Sequence, residues 1–390
     1  MAQIRSVNFM PKVIENVSER ISKHPGKLIV WFGYDITHWV DSLHAALTLR
    51  NQRIDYVVDN ARHKWGRVSF NGIIISPPEY TIKTNIDKVV VFVLSNHTES
   101  MVKQLKGFGL NDNQIEIFPA PYKYSDKAED AFKNEISGLK RMDLRELQLC
   151  EFDILKALKK FCDAQGLRYY LSGGTCFGAV QYKGFVPWDD DIDIFMPYAD
   201  FMALVKTYPK NGRYKIVYWE EHNDFLYPYI RMIDNSTVNI YGSFPISFLT
   251  GVFIDIVPLV GFPEQEDELR YRFELIPYLE GKWRWYYNAR GVQGLEACDL
   301  RAEVWKQKCE LPFDESPMAG EMSEFGRGDE PWILPQSSFG YGETLEFEGE
   351  QFSVIKDWRE YLARRYKNWG NKSQKELEVK HPIKAFWKYR

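Results

Sequence analysis

The 390-residue chain has only five cysteines, Cys150, Cys162, Cys176, Cys298 and Cys309, and no CxxC pair. That pattern argues against a zinc ribbon or a thiol–disulfide motif and predicts free thiols in a reducing, cytoplasmic setting. No stretch of about 18 apolar residues is present, so no membrane-spanning helix is expected. Met1 to Met10 contains Gln3 and Arg5 and lacks an apolar core, so no secretory signal is expected either. Charge of one sign is also missing. The 50 Lys and Arg nearly balance the 54 Asp and Glu, for a net charge of -4. A nucleic-acid-binding protein wants a basic surface, and this balance argues against one.

Hydrophobic residues make up 45% of the chain and charged residues 27%, a composition usual for a globular protein. At about 100–200 residues per domain, the length predicts two domains or more. Lys27–Phe32, Ile54–Val58, Ile73–Ile75, Lys88–Leu94 and Gln114–Phe118 read as short apolar strands. Helical patterns at about 37–49 and 99–106 alternate with them, which predicts a parallel, Rossmann-like sheet over residues 1–122. Residues up to about Gly26 read as a helix. Asp59 stands where an acid can meet a ribose, but the first turn is Phe32-Gly33-Tyr34-Asp35, with no GxGxxG. A scaffolding or docking role is expected for this domain. Residues 123–142 are polar and read as a linker that becomes helical. The remainder, 143–390, begins with one apolar helix stripe, Leu144, Leu147, Ile154, Leu158 and Phe161, stopped at Gly166.

The most informative stretch runs from Leu171 to Ile194. Gly173-Gly174 follow a short strand and precede a helix start at Thr175, a common way to present N–H groups to phosphate. Then come Asp189, Asp190, Asp191 and Asp193, in a frame of Trp188, Ile192 and Ile194. Strand residues two apart share a face, so Asp191 and Asp193 point together and the isoleucines point inward. Paired carboxylates without nitrogen or sulfur ligands suit Mg²⁺ or Mn²⁺. Asp255 stands alone in the apolar run Gly251–Val257, where a lone carboxylate is costly unless paired or metal-bound. It is expected to join Asp191 and Asp193. Arg231, inside Tyr229–Ile233, needs an anion: either a structural Asp or a phosphate group of a substrate. Tyr278, Trp283, Trp285, Tyr286 and Tyr287, with Arg284 and Arg290, form an aromatic segment. It reads as a helix packing inward or as a pocket for a sugar or a quaternary ammonium.

The block Leu171-Ser-Gly-Gly-Thr, Phe177-Gly-Ala-Val and Lys183-Gly-Phe-Val-Pro-Trp-Asp-Asp-Asp-Ile-Asp-Ile resembles the LicD family of phosphocholine and fukutin-type phosphotransferases. Arg231-Met-Ile-Asp, Phe253-Ile-Asp-Ile-Val-Pro-Leu and Trp358-Arg-Glu-Tyr-Leu, with Tyr366 and His381, extend the likeness over about 142–390. The chain is expected to be α/β, with the Rossmann-like sheet lying outside the resemblance. The resemblance implies a following nucleotidyltransferase-like domain of the DNA polymerase β type, a mixed α+β unit with a helical, aromatic-rich C-terminal part. It further implies that Asp191, Asp193 and Asp255 are catalytic and hold Mg²⁺ or Mn²⁺, helped by Asp189. Gly173, Gly174 and Thr175 would cradle a diphosphate, Lys183 and Arg231 would meet phosphate oxygens, and Trp188 would face the substrate. The implied reaction moves phosphocholine, ribitol phosphate or glycerol phosphate from a CDP-linked donor to a glycan or lipid-linked oligosaccharide, with release of CMP. The implied place is the cytoplasm, compatible with peripheral attachment at the inner membrane face and with a homo-oligomer. Two other readings share the same residues: nucleotidyl transfer to a small molecule, and a non-catalytic scaffold in a glycan-assembly complex.

Overall fold

The computed structural model describes residues 5–34, 39–67, 72–95, 97–119, 123–220, 227, 229–243, 246–290, 295–323, 333–366 and 383–388. Two large sheets organise them, beside a two-stranded hairpin, Tyr341–Phe347 with Glu350–Ile355. The first has five parallel strands in the spatial order Ile75–Ser76, Tyr56–Val58, Leu28–Phe32, Val89–Val93, Ile115–Ile117. Val89–Val93 is buried at every position. A parallel strand covered on both faces has no reason to alternate, and this explains the unbroken apolar runs in the sequence. Helices Trp39–Thr48 and Thr98–Gly107 fall where their patterns predict.

Asp59 is engaged within the protein. Oδ2 accepts the Tyr34 N–H at 2.8 Å and the Lys64 ammonium at 3.0 Å, and Oδ1 accepts the Ala61 N–H at 2.8 Å. The acid fastens the turns after two neighbouring strands.

The second sheet has ten strands. Its axis is the 17-residue strand Ile246–Phe262, whose Ile246–Ile256 part is paired antiparallel with Ile230–Ser243. A register shift between Asp234 and Asn239 bends this hairpin. Gly251 sits opposite, where a Cβ would lie 2.2 Å from the Asp234 carbonyl oxygen, so only glycine admits the bulge. Beyond the bend, Asp193–Pro197 joins the same strand in parallel, and Tyr170–Leu171 pairs with Asp193–Pro197. The helix Leu144–Gln165 packs across this part of the sheet. Asp143 caps it in a reciprocal box with Glu146, and Gly166 ends it in a left-handed conformation, as expected from the sequence. Leu147, Ile154 and Leu158 are buried as predicted, whereas Leu144 is exposed.

The N-terminal stretch departs from the expected single helix. Arg5–Asn8 is a strand, paired antiparallel with Ile246–Leu249 of the second sheet, and only Met10–Ser22 is helical. The expected linker, 123–142, is structured too: it holds helices Lys123–Ala131 and Lys133–Ile136 and the strand Lys140–Arg141, which pairs with Ile383–Trp387. One apolar cluster then spans both sheets. Met10, Val13, Val17, Trp31 and Phe92 share it with Val238, Ile240, Leu249 and Phe386. Among the described residues no helix is long and apolar enough to cross a membrane.

A chain reduced to residues 143–390 should therefore not fold as an independent unit. It exposes Val238, Ile240, Leu249 and Phe386, at about 1.5–3 kcal/mol each. The sum approaches the whole stability of an ordinary domain, roughly 5–15 kcal/mol. Circular dichroism on the truncated chain should give no cooperative melt; a monomeric, sharply melting fragment would contradict the shared core.

Candidate active site

The acid strand and the Asp255 strand are direct neighbours. In their parallel register Asp193 stands opposite Asp255, and the Asp255 N–H donates to the Ile192 carbonyl at 2.9 Å. Ile192 and Ile194 are fully buried, so period two sends the carboxylates of Asp191 and Asp193 to the other side. Asp191, Asp193 and Asp255 line one pocket of about 290 Å³, together with Ser172, Gly173 and the ring of Tyr361.

The glycine pair forms the other wall. Gly173 has φ +51°, and a Cβ there would lie 2.5 Å from Asp193 Oδ2; at Gly174 it would lie 2.4 Å from Asp189 Oδ2. Both carboxylates thus rest against the first turn of the helix Gly173–Tyr182, whose N-terminal amides favour negative charge. The Gly173 N–H donates to the Tyr361 hydroxyl at 2.8 Å. Thr175 is buried, and its Oγ1 accepts the Asp193 backbone N–H at 2.9 Å, locking the acid strand to the glycine turn.

Arg231 is also placed differently from a phosphate clamp. It is the register partner of Asp255 on the adjoining strand, and its Nε donates to Asp255 Oδ1 at 2.7 Å. Its side chain is 2% exposed. The guanidinium carbon lies 3.7 Å from the Phe253 ring centre, 4.3 Å from Tyr241 and 4.7 Å from Tyr227. The arginine is a buried prop for Asp255, the structural alternative left open by the sequence. The guanidinium that does line the pocket, among the described residues, is Arg365, from the helix Trp358–Arg365. It lies 3.8 Å from Glu321, which accepts from Ser323 at 2.5 Å.

Lys183 and Trp188 do not line this pocket. Lys183 ends the glycine-turn helix at φ 54°, is 72% exposed and pairs with Glu346 at 3.2 Å. Trp188 packs edge-on against Tyr182. The loop between them is held by Glu348, whose N–H donates to the Lys183 carbonyl at 2.8 Å and whose carboxylate meets Arg145. Among the described residues, the aromatic wall of the pocket comes from Tyr229, just before one long strand, and from Tyr241 and Phe253 on the two long strands. In the 275–290 segment, Trp283 is buried under Arg301, 5.0 Å from its ring, and Tyr278 is exposed. The side chains of Arg284, Trp285, Tyr286, Tyr287 and Arg290 lie outside the described residues, as does His381.

The electrostatics of the site are those of crowded acids. Burial, then Asp191 and Asp255, hold Asp193 well above the ordinary carboxylate range. Asp189, Asp190 and Asp191 each bring an oxygen within 4.8 Å of the others. Asp190 thereby joins the cluster, although its neighbours were the expected ligands. Clustered carboxylates are the donor set that hard divalent metals select.

Residues 166–258 match the family model described as "LicD/FKTN/FKRP, nucleotidyltransferase domain". The chain is 24% identical over 270 residues to the lipopolysaccharide cholinephosphotransferase LicD of Haemophilus influenzae, across 63% of this chain and 98% of that protein. Mannosyltransferase regulator 4 of Saccharomyces cerevisiae is 31% identical over 127 residues, covering 30% of this chain and 10% of that one. An uncharacterized protein of Rickettsia prowazekii is 29% identical over 82 residues, or 21% of this chain and 28% of that protein. The matched segment contains the glycine turn, the acid strand, Arg231 and Asp255.

Two outcomes are expected. Arg231→Met keeps the bulk but leaves Asp255 without its buried partner, and should cost about 3 kcal/mol or more in denaturant unfolding. Asp193 titrates higher in the folded chain than the roughly 3.9 of an unfolded one. The folded state therefore holds that proton longer, and this contribution to stability is full below about pH 4 and lost as pH rises through the raised value. In EDTA, the Tm of Asp193→Asn minus that of the wild type should grow more positive with rising pH; a flat difference would show that Asp193 is not strained.

Proposed function

We propose that this chain, whose residues 166–258 form a LicD-family domain, is a metal-dependent phosphotransferase with a nucleotidyltransferase-like core. It would move a phospho-alcohol from a CDP-linked donor to a sugar hydroxyl and release CMP. The observation that carries this reading is the placing of Asp193 beside Asp255 across two parallel strands, in one pocket with Asp191 and the glycine turn. The likeness to a lipopolysaccharide cholinephosphotransferase favours phosphocholine as the group and a cell-surface glycan or its lipid-linked precursor as the acceptor.

Asp191, Asp193 and Asp255 offer the all-oxygen donors that suit Mg²⁺ or Mn²⁺ in one pocket and would hold it, with Asp189 close by at Gly174. When bound, the metal supplies charge neutralisation at the donor diphosphate, the main requirement of phosphoryl transfer. The residues do the rest. Arg231 fixes Oδ1 of Asp255, leaving the second oxygen to the site, where it can take the acceptor's proton. The acceptor oxygen then bonds to phosphorus, the bond to the CMP oxygen breaks, and CMP leaves with the electron pair. Arg365 is the pocket's guanidinium and meets phosphate oxygens, the task the sequence suggested for Lys183 and Arg231. Tyr229 and Tyr241 offer ring faces or edges to the alcohol, and a quaternary ammonium would gain most from them.

A second reading, transfer of the nucleotide itself, is kept open by the description of the matched domain as a nucleotidyltransferase. The two differ in product mass. The protein should be incubated with CDP-choline, CDP-ribitol or CDP-glycerol, Mg²⁺ and candidate glycans. CMP release with a phospho-alcohol adduct is expected, and Asp193→Ala should slow it by more than about 100-fold while keeping the melting profile cooperative. A nucleotide adduct would replace this reading with the second; full turnover in the variant would remove the site altogether.

A further inference from the structure

Tyr361 stands well beyond the matched segment 166–258, yet it reaches back to the glycine turn inside that segment. It lies on the helix Trp358–Arg365, four residues before Arg365 and so on the same face, and both line the acidic pocket. The turn is fastened from two sides. On one, the Ser172 N–H donates to the Asp193 carbonyl at 3.0 Å, and Thr175 Oγ1 accepts the Asp193 N–H at 2.9 Å. These bonds tie the turn to the acid strand. On the other, the Gly173 N–H donates to the Tyr361 hydroxyl at 2.8 Å, which ties the turn to the helix Trp358–Arg365.

Gly173 is buried and opens the helix Gly173–Tyr182, so its N–H has no partner within that helix. A buried amide in that position needs an acceptor from elsewhere, and the phenol supplies it. Tyr361 is 1% exposed, and its ring meets Phe195 of the acid strand edge-on, with centres 5.6 Å apart. A phenylalanine would fill the same space against Phe195; the hydroxyl is what reaches Gly173. Burial holds this phenol well above the usual tyrosine range, so it stays neutral. Tyr361 therefore touches both halves of the site, the turn through its oxygen and the acid strand through its ring. The gap it spans is narrow: a Cβ on Gly173 would lie 2.5 Å from Asp193 Oδ2.

We propose that Tyr361 is a positioning residue for the donor diphosphate: it holds the glycine turn at a set distance from the acid strand, ready for phosphate oxygens. The inference rests on the transferase reading above and names what sets its donor affinity. A turn fixed beforehand loses little freedom when the ligand arrives, so the hydroxyl acts on binding. It touches none of the reacting atoms, and the chemical step is left as it was.

Tyr361→Phe in the full-length protein keeps the ring and removes the acceptor. The probe is whichever of CDP-choline, CDP-ribitol and CDP-glycerol the wild type binds best in Mg²⁺. Calorimetric titration should show its affinity weakened by about tenfold or more, on the scale of a buried amide left without a partner. In turnover, KM for that donor should rise by a like factor while kcat stays within about threefold of the wild type. A lowered Tm with affinity and KM unchanged would make the hydroxyl structural only and overturn the proposal. A loss of kcat with KM unchanged would overturn it too, by placing the phenol in the chemical step. In both cases the wild type still binds and turns over the donor, so the transferase reading stands. Neither binding nor turnover of any of the three by the wild type would overturn both. If Tyr361→Phe does not fold, hydrogen exchange on the wild type decides. The bound donor should slow exchange across residues 172–176, and exchange there that ignores the donor would overturn the positioning role.

Discussion

The constraint on which this structure turns is a like-charge pair placed side by side. Two aspartates in register on adjacent parallel strands repel each other, and most sheets avoid the arrangement. Here Asp193 and Asp255 are held there by everything around them. Thr175 ties the Asp193 backbone to the glycine turn, the carboxylates of Asp193 and Asp189 rest against that turn, and Arg231 offsets Asp255 from the next strand. The buried isoleucines on the opposite face make the register hard to escape, since a slip of one residue would put carboxylates in the core. The fold stores unfavourable electrostatics at the place where a bound cation would relieve them.

Much of this was legible in the residues. The Asp-Ile-Asp-Ile alternation states the strand, its buried face and its polar face, and Gly173-Gly174 states that something must come close to the backbone. The five parallel strands were readable because double-sided burial leaves an unbroken apolar signature. What stayed hidden depends on contacts between distant segments. Arg365, Glu321 and Tyr361 enter the pocket from strands and helices more than 60 residues beyond Asp255. Arg231 needed an anion, and the sequence could not choose between Asp255 and a ligand. The register of the long hairpin makes that choice. Arg5–Asn8 was misread because four residues carry little periodicity, and their pairing partner lies 240 or so positions away.

The aromatic richness of the chain also resolves into separate uses. Trp283 joins a packed layer around Arg301, whereas the described rings that line the pocket are Tyr229, Tyr241 and Phe253. The same Tyr241 and Phe253 that line the pocket also cover Arg231. One set of rings thus makes the arginine affordable in the interior and gives the pocket its apolar side, so changes on this wall couple ligand recognition to the acid network.

The N-terminal strand has a consequence for how the chain comes to be folded. The five-stranded parallel sheet uses only residues 28–117 and can form while later segments are still being synthesised. The ten-stranded sheet cannot: its axis recruits Arg5–Asn8, and its partner strand recruits Ile383–Trp387. Contacts of such long sequence separation form slowly. Until residue 387 has left the ribosome, the edge of Ile230–Ser243 stands open, and a nascent chain in that state is a natural client for chaperones.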